Sequence, residues 1–367
     1  MGSAAALHLA RQGQRTLVLE RFGVAHDRGS SHGLTRIIRL AYFEHPSYVP
    51  LLRRAFELWR DLERQAGEPI LHVTGSLDAG PVDSRTVSGS IRSCREHDLP
   101  YDVLTPGDLA ARFPAYRLPA GHVGVFQPDG GFLVPERCIA ASLELARVAG
   151  ADVRPAEGVV RWEAKRGAVT VDTARGTYEA GQLVVAAGAW APALVPSLGP
   201  LLTPERQVVA WFDVADRDAF APERFPVFNL EWEGEHWYGF PEFSAPGFKV
   251  GCYHHRREAV DPERLDRAHV DDDDLALLRP LVRACFAGAQ DEVLQAKVCI
   301  FTNTPDEDFI IDRLPGSPEV LIASACSGHG FKFAAVVGEI VADLIARGST
   351  THDIARHALA RFPQLSA

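Results

Sequence analysis

Apolar and polar positions follow two rhythms along the chain. From residue 3 to about 12, SAAALHLARQ is small and apolar with helical spacing, and Gly13 stands where such a helix stops. Arg15 leads into TLVLE, residues 16–20, an apolar run of β type closed by an acid. Near the other end, EVLIASACSGHGFKFAAVVGEIVADLI reads as a strand at 320–325, a glycine turn at 327–330 and a helix over about 332–345. LVVAAGAWAPAL, 183–194, is another buried strand running into a glycine turn. HVTGSLDAG, RQVVAWFDV and HWYGFPEF read as further strands. Four acids at 271–274 precede LALLRPLVRACF, where they cap a helix N-terminus and complement its dipole in preference to binding calcium.

The opening helix and strand match the second half of a dinucleotide-binding unit. In that unit the third glycine of GxGxxG lets helix and sheet pack closely, and an acid some 20 residues on holds ribose hydroxyls. Gly2 fits the glycine and Glu20 the acid. The first strand and the first two glycines do not precede them. The plain alternative is a helix that begins with glycine, followed by any strand. Three strand–glycine-turn segments spread over one chain suit a large dinucleotide such as FAD better than a compact nicotinamide site, because glycine allows close backbone approach at a helix N-terminus.

The 367 residues suffice for two domains or one large two-lobed fold. A net charge of −10 argues against a general nucleic-acid or anionic-membrane binder, though not against a local basic pocket. No apolar run reaches the length of a membrane span, SAAALHLA lacks the basic flank of a signal peptide, and FPQLSA at the end is no lipidation or peroxisomal signal, so the expected location is the cytoplasm. Six cysteines without CxxC pairing are expected to be buried thiols. His352 and His357, five apart, are poorly spaced for a zinc pair.

Four stretches together, SSHGLTRIIRLAY (30–42), WYGFPEFSAPGFKVG (237–251), VCIFTNTPDEDFIID (298–312) and CSGHGFKF (326–333), resemble the monomeric sarcosine oxidase family, which includes relatives acting on N-methyltryptophan and pipecolate. The similarity runs from Gly2 to about His357. Members begin with an apolar strand and GAGxxG, whereas this chain starts at the last glycine of that motif. A start assigned too late is the preferred explanation, and a flavin-free, non-catalytic remnant is the alternative.

The resemblance implies roles residue by residue. Cys299, which alone would pass for a small buried hydrophobe, aligns with the cysteine that joins the flavin. Lys249 aligns with a lysine that promotes reaction with O2, as a cation in a dry site stabilises superoxide-like charge. Arg39 and Lys332 are implied on the substrate carboxylate, where a guanidinium pairs bidentately. Arg36 is implied beside the flavin ring; on a helical turn, Arg36 and Arg39 would share one face. His32, His329, Gly328 and Gly330 align with flavin-site positions and Tyr238 with a pocket tyrosine. A catalytic pocket histidine past the lysine is expected at His254, with His255 the other choice, because KVGCYHH looks one residue long. Phe301 and Asn229 depart from a tyrosine and an apolar pocket residue of the sarcosine enzyme, which puts sarcosine itself in doubt.

The expected architecture is α/β: an FAD-binding Rossmann-like domain lacking its first strand, from 1–70, 136–202 and 302–367, and a substrate domain with a mostly antiparallel sheet, from 71–135 and 203–301. The implied reaction is FAD-dependent oxidation of a secondary amino acid to an imine that hydrolyses, with O2 reduced to hydrogen peroxide. No metal, nucleic acid or membrane partner is expected, and the protein is expected to be a monomer.

Overall fold

The structure, a computed structural model, describes residues 1–165 and 167–362; the end of FPQLSA lies outside them. The largest element is an eight-stranded sheet. Its order is Ala289–Asn303, Thr203–Val214, Phe248–Cys252, Glu235–Phe240, Val227–Trp232, Ser76–Pro81, His122–Gln127 and Asp102–Leu104. Every pairing is antiparallel except that of Ser76–Pro81 with Val227–Trp232. One face packs on a core rich in phenylalanine that includes Phe212, Phe225, Phe228 and Phe248.

Helix Gly2–Arg11 and strand Leu17–Leu19 form as the pattern predicts, and Gly13 takes φ +76°, open to glycine at little cost. The strand pairs in parallel with Asp152–Arg154. Strand Leu183–Val185 lies parallel to Ser317–Ser324, which also pairs antiparallel with Ile310–Leu314. After the glycine turn, a short 3-10 turn, Phe331–Phe333, leads into helix Ala334–Arg347. This helix lies against Gly2–Arg11. The close approach is made by Gly338, where a Cβ would fall 2.5 Å from the Ala4 carbonyl carbon. Gly2 carries no such demand, since a Cβ there meets only the Ala186 methyl at 3.6 Å. Asp271 and Asp274 form a capping box on helix Asp272–Cys285, as expected of that acidic run.

TRIIR is where local reasoning fails. Arg36–Ile38 is a strand, not a helical turn, and pairs with Gly131–Leu133, which also pairs with Leu71–Val73. Adjacent β-branched Ile37 and Ile38 favour the extended form. Side chains three apart along extended chain project to opposite sides, so Arg36 and Arg39 part company. Among the described residues, no helix is long and apolar enough to cross a membrane, and no group of His, Cys, Asp and Glu is placed to hold a metal.

Candidate functional site

Strand alternation builds one wall of a pocket over the large sheet. Tyr238 and Phe240, two apart on one strand, face the same space as Cys299 and Phe301, two apart on another. Gly251, on the strand next to that of Tyr238, makes room for it: a Cβ there would fall 2.5 Å from the tyrosine ring. The space enclosed is about 570 Å3, its open mouth included.

The loop before Arg36 forms a second wall. Gly33 and Leu34 both take positive φ, +93° and +72°. Two interactions hold this shape. The Glu136 carboxylate accepts from the Gly33 and Leu34 amides at 2.7 and 3.2 Å. Lys249 Nζ donates to the Gly33 and Thr35 carbonyls at 2.8 and 3.0 Å. Lys249 is buried and lies over the rings of Phe240 and Trp211 at 4.1 and 5.4 Å. Burial, then the Arg36 charge, pushes its pKa down.

The loop sets two polar groups at the pocket. His32 is buried with both ring nitrogens unpartnered. Burial, then Arg36, pushes its pKa down to about 3, so the ring is neutral and offers one donor and one acceptor. Arg36 is fixed by the Ser30 and Thr35 carbonyls, and its Nη2 lies 3.8 Å from Cys299 Sγ.

The glycine turn supplies the third wall. Gly328 takes φ +75°, and a Cβ there would lie 2.6 Å from the Phe301 ring; at Gly330 it would collide with the Ala325 carbonyl. His329 bonds the Glu307 carbonyl through Nε2 at 3.0 Å and the Tyr42 hydroxyl through Nδ1 at 2.5 Å. A carbonyl only accepts, so Nε2 carries the proton and Nδ1 accepts from tyrosine. Lys332 Nζ donates to the His329 carbonyl at 2.7 Å, and burial followed by the Arg39 charge brings its pKa down to about 7.

The structure thus brings His32, Arg36, Tyr238, Cys299, Gly328, His329 and Lys332 to one pocket, from segments nearly 300 residues apart. Lys249 and Gly330 lie off its lining, and so does Arg39. It is buried in a cage of its own, with Nη2 on both Glu44 oxygens at 2.8 Å, Nη1 on the Ala41 carbonyl at 2.6 Å, and Asp78 at 3.7 Å. The rings of Tyr42 and Phe43 lie 4.4 and 4.6 Å from the guanidinium, and Nε has no partner. Burial would raise the Glu44 pKa, but Arg39 overrides it and holds the value at about 2.

The expected pocket histidine is corrected. Strand Phe248–Cys252 ends there, and His254 and His255 both turn to positive φ, which carries them away. His254 bridges Glu205 and Glu307 at 3.1 and 3.0 Å, and His255 bonds Asp274 at 3.0 Å. Tyr253 lines the pocket instead. The missed signal was period two: counting from Lys249, the same face continues through Gly251 to Tyr253. Asn229 also leaves the pocket, donating to Asp78 at 2.8 Å.

The two carboxylates raise the His254 pKa to about 9. A folded pKa above the unfolded value near ~6.5 contributes stability that is full below the unfolded value and lost as pH rises through about 9. The melting temperature is therefore expected to drop between neutral and alkaline pH, and the drop to shrink in His254→Gln. Parallel profiles for the two proteins would contradict the assignment.

Gly2 and Glu20 also lie off the pocket lining. Glu20 accepts from the Phe22 amide at 2.8 Å and sits 3.4 Å from His26; burial opposes its ionisation, but these contacts lower its pKa. The pocket suits a planar heterocycle that both donates and accepts hydrogen bonds. Its signature is the orphaned neutral imidazole of His32 beside a thiol on the pocket lining, a guanidinium and glycines that leave room for close approach.

Comparison with known proteins gives a consistent picture. The family model described as FAD dependent oxidoreductase matches residues 1–344. Monomeric sarcosine oxidase of Streptomyces avermitilis is 44% identical over 360 residues, 96% of this chain and 93% of that protein. N-methyl-L-tryptophan oxidase of Salmonella agona is 37% identical over 365 residues, 99% of this chain and 97% of that protein. The solved structure of NikD, described as an unusual amino acid oxidase essential for nikkomycin biosynthesis, superposes with a TM-score of 0.82 at 28% identity, covering 97% of this chain and 94% of that one.

Proposed function

This chain belongs to the FAD dependent oxidoreductases, and we propose that it oxidises a secondary amino acid, N-methylated or cyclic, to an imine that water hydrolyses, with O2 as electron acceptor and hydrogen peroxide as product. The observation that carries this reading is the convergence on one pocket of an orphaned neutral imidazole, a thiol and two cations. FAD, when bound, supplies the two-electron acceptor for the hydride on the carbon next to nitrogen.

The chain's own residues divide the remaining tasks. His32 offers the ring a donor and an acceptor, and Gly328 and Gly330 let the backbone approach it. Cys299 Sγ is the anchor for a covalent link. Lys332 and Arg39 take the substrate carboxylate and so fix the orientation of the C–N bond. Arg39 meets that carboxylate through Nε, which has no partner, and keeps its pair with Glu44 on Nη2. Tyr238, Phe240, Tyr253 and Phe301 exclude water and shape the side-chain space. The amine must be neutral to yield electrons, and burial near Arg36 and Lys332 depresses its pKa. Lys249 supplies a cation where charge develops during O2 reduction. The curated relatives named monomeric support a single-chain enzyme.

The test is peroxide formation by the FAD-replete protein with a panel of N-methyl and cyclic amino acids, beside their primary and N-acylated counterparts. Turnover is expected only where the nitrogen is a basic secondary amine. Silence across all secondary amino acids contradicts the proposal. For Cys299, the yellow colour is expected to stay with the acid-precipitated wild-type protein and to pass to the supernatant in Cys299→Ser. Release from both proteins would reduce Cys299 to a plain thiol.

A further inference from the structure

Behind the clamp lies a buried carboxylate that the reaction above does not use. Asp78 is 1% exposed, and neither it nor its partners Ser90 and Asn229 line the pocket. The Ser90 hydroxyl donates to one oxygen at 2.6 Å and the Asn229 amide to the other at 2.8 Å, so the group is fixed from two elements. Arg39 Nη1 stands 3.7 Å away. Arg39 therefore lies between two acids of different character: Glu44, whose side chain is 14% exposed, and Asp78, sealed in the interior.

Counting charge decides what Asp78 does. Arg39 and Lys332 bring two positive charges, and Glu44 and Asp78 bring two negative ones. An incoming carboxylate leaves this dry cluster with one excess negative charge, which a low-dielectric site does not tolerate unpaired. Resting on the reading of Arg39 and Lys332 as a carboxylate clamp, we propose that Asp78 is a positioning residue that takes up a proton when the substrate carboxylate binds, holding Arg39 between the acids while keeping the site neutral. The Asp78 carboxylate gains the proton, and no electrons move. For a zwitterionic amino acid, the ammonium proton that must leave before oxidation balances the count.

The surroundings are suited to this. Two donors and the nearby guanidinium favour the ionised form of Asp78 before the ligand arrives. Burial, reinforced by Glu44, raises its pKa against the pull of Arg39, Ser90 and Asn229. The other groups that sense its charge are Cys94 on helix Arg85–Glu96, Tyr253 and Lys332. His236 senses Glu44 and Arg39 and is held neutral by burial, its pKa lowered to about 4.

The experiment is calorimetric titration of the holoenzyme with acetate near pH 6, where Lys332 is already charged, in two buffers of different ionisation enthalpy. About one proton is expected to be taken up per acetate bound, by linkage. The infrared difference spectrum should gain the carbonyl band of a protonated side-chain carboxyl. Both signals are expected to vanish in Asp78→Asn and to persist in Ser90→Ala. Acetate binding without proton uptake in the wild type overturns the proposal and leaves the clamp standing, as does uptake that survives in a folded Asp78→Asn protein. If acetate binds to neither protein, the clamp falls and the proposal with it. Should Asp78→Asn not fold, the wild type decides the matter: protein carrying 13C in its aspartate side-chain carboxyls is expected to shift the new carbonyl band, and an unshifted band overturns the proposal.

Discussion

Replacing Lys249 by methionine is expected to slow reoxidation by O2 by roughly 10²–10³-fold, the usual cost of removing one preorganised electrostatic group. Reduction by substrate is expected to change far less. The ammonium is buried directly behind the pocket wall, donates to the Gly33 and Thr35 carbonyls and faces two aromatic rings, so its charge has few counter-charges to compete with an anion developing in the pocket. The same contacts hold the loop that carries His32, and methionine cannot replace them. Stopped-flow measurement of the two half-reactions separates the effects. Equal slowing of both would make Lys249 a support for the loop and no more. Slow reoxidation with normal reduction is the expected pattern.

Replacing Arg39 by lysine is expected to lower kcat/KM by about 10²-fold or more, chiefly through KM. Losing one partner of a buried, hydrogen-bonded charge pair costs about 3 kcal/mol. Lysine keeps the charge that Glu44 and Asp78 need, so the fold should persist, with melting little changed. What it lacks is the planar fork that spans both acids and the Ala41 carbonyl. Arg39→Met is a poorer test, since it leaves two carboxylates without a counter-ion. An unchanged KM in Arg39→Lys would remove Arg39 from the clamp.

Which parts of this were legible in the sequence follows from the range of the forces involved. The helix Gly2–Arg11, its stop at Gly13 and the capped helix Asp272–Cys285 depend on neighbours in sequence, and the local pattern was enough. The glycine turn at 327–330 was equally plain, because a side chain at Gly330 would collide with its own strand. TRIIR misleads because charge spacing fits a helical turn, while the two isoleucines and a partner strand about 95 residues away favour extension. That choice sends Arg39 into a cage made by Glu44 and Asp78, acids whose proximity no local reading exposes. His254 misled for the opposite reason. Period two along the strand points to Tyr253, whereas the family resemblance points to a histidine just past the lysine. Asn229, noticed as a departure from the family, matters through Asp78, a partner 151 positions away.

FAD-dependent oxidation of a secondary amino acid is assigned to the pocket over the large sheet. The most direct measurement is the visible spectrum of the holoenzyme, kept free of oxygen, as an N-methyl or cyclic amino acid is added. Loss of the yellow absorbance on addition, and its return when air is admitted, is the result expected. A spectrum that stays fully oxidised with every secondary amino acid supplied would contradict the account.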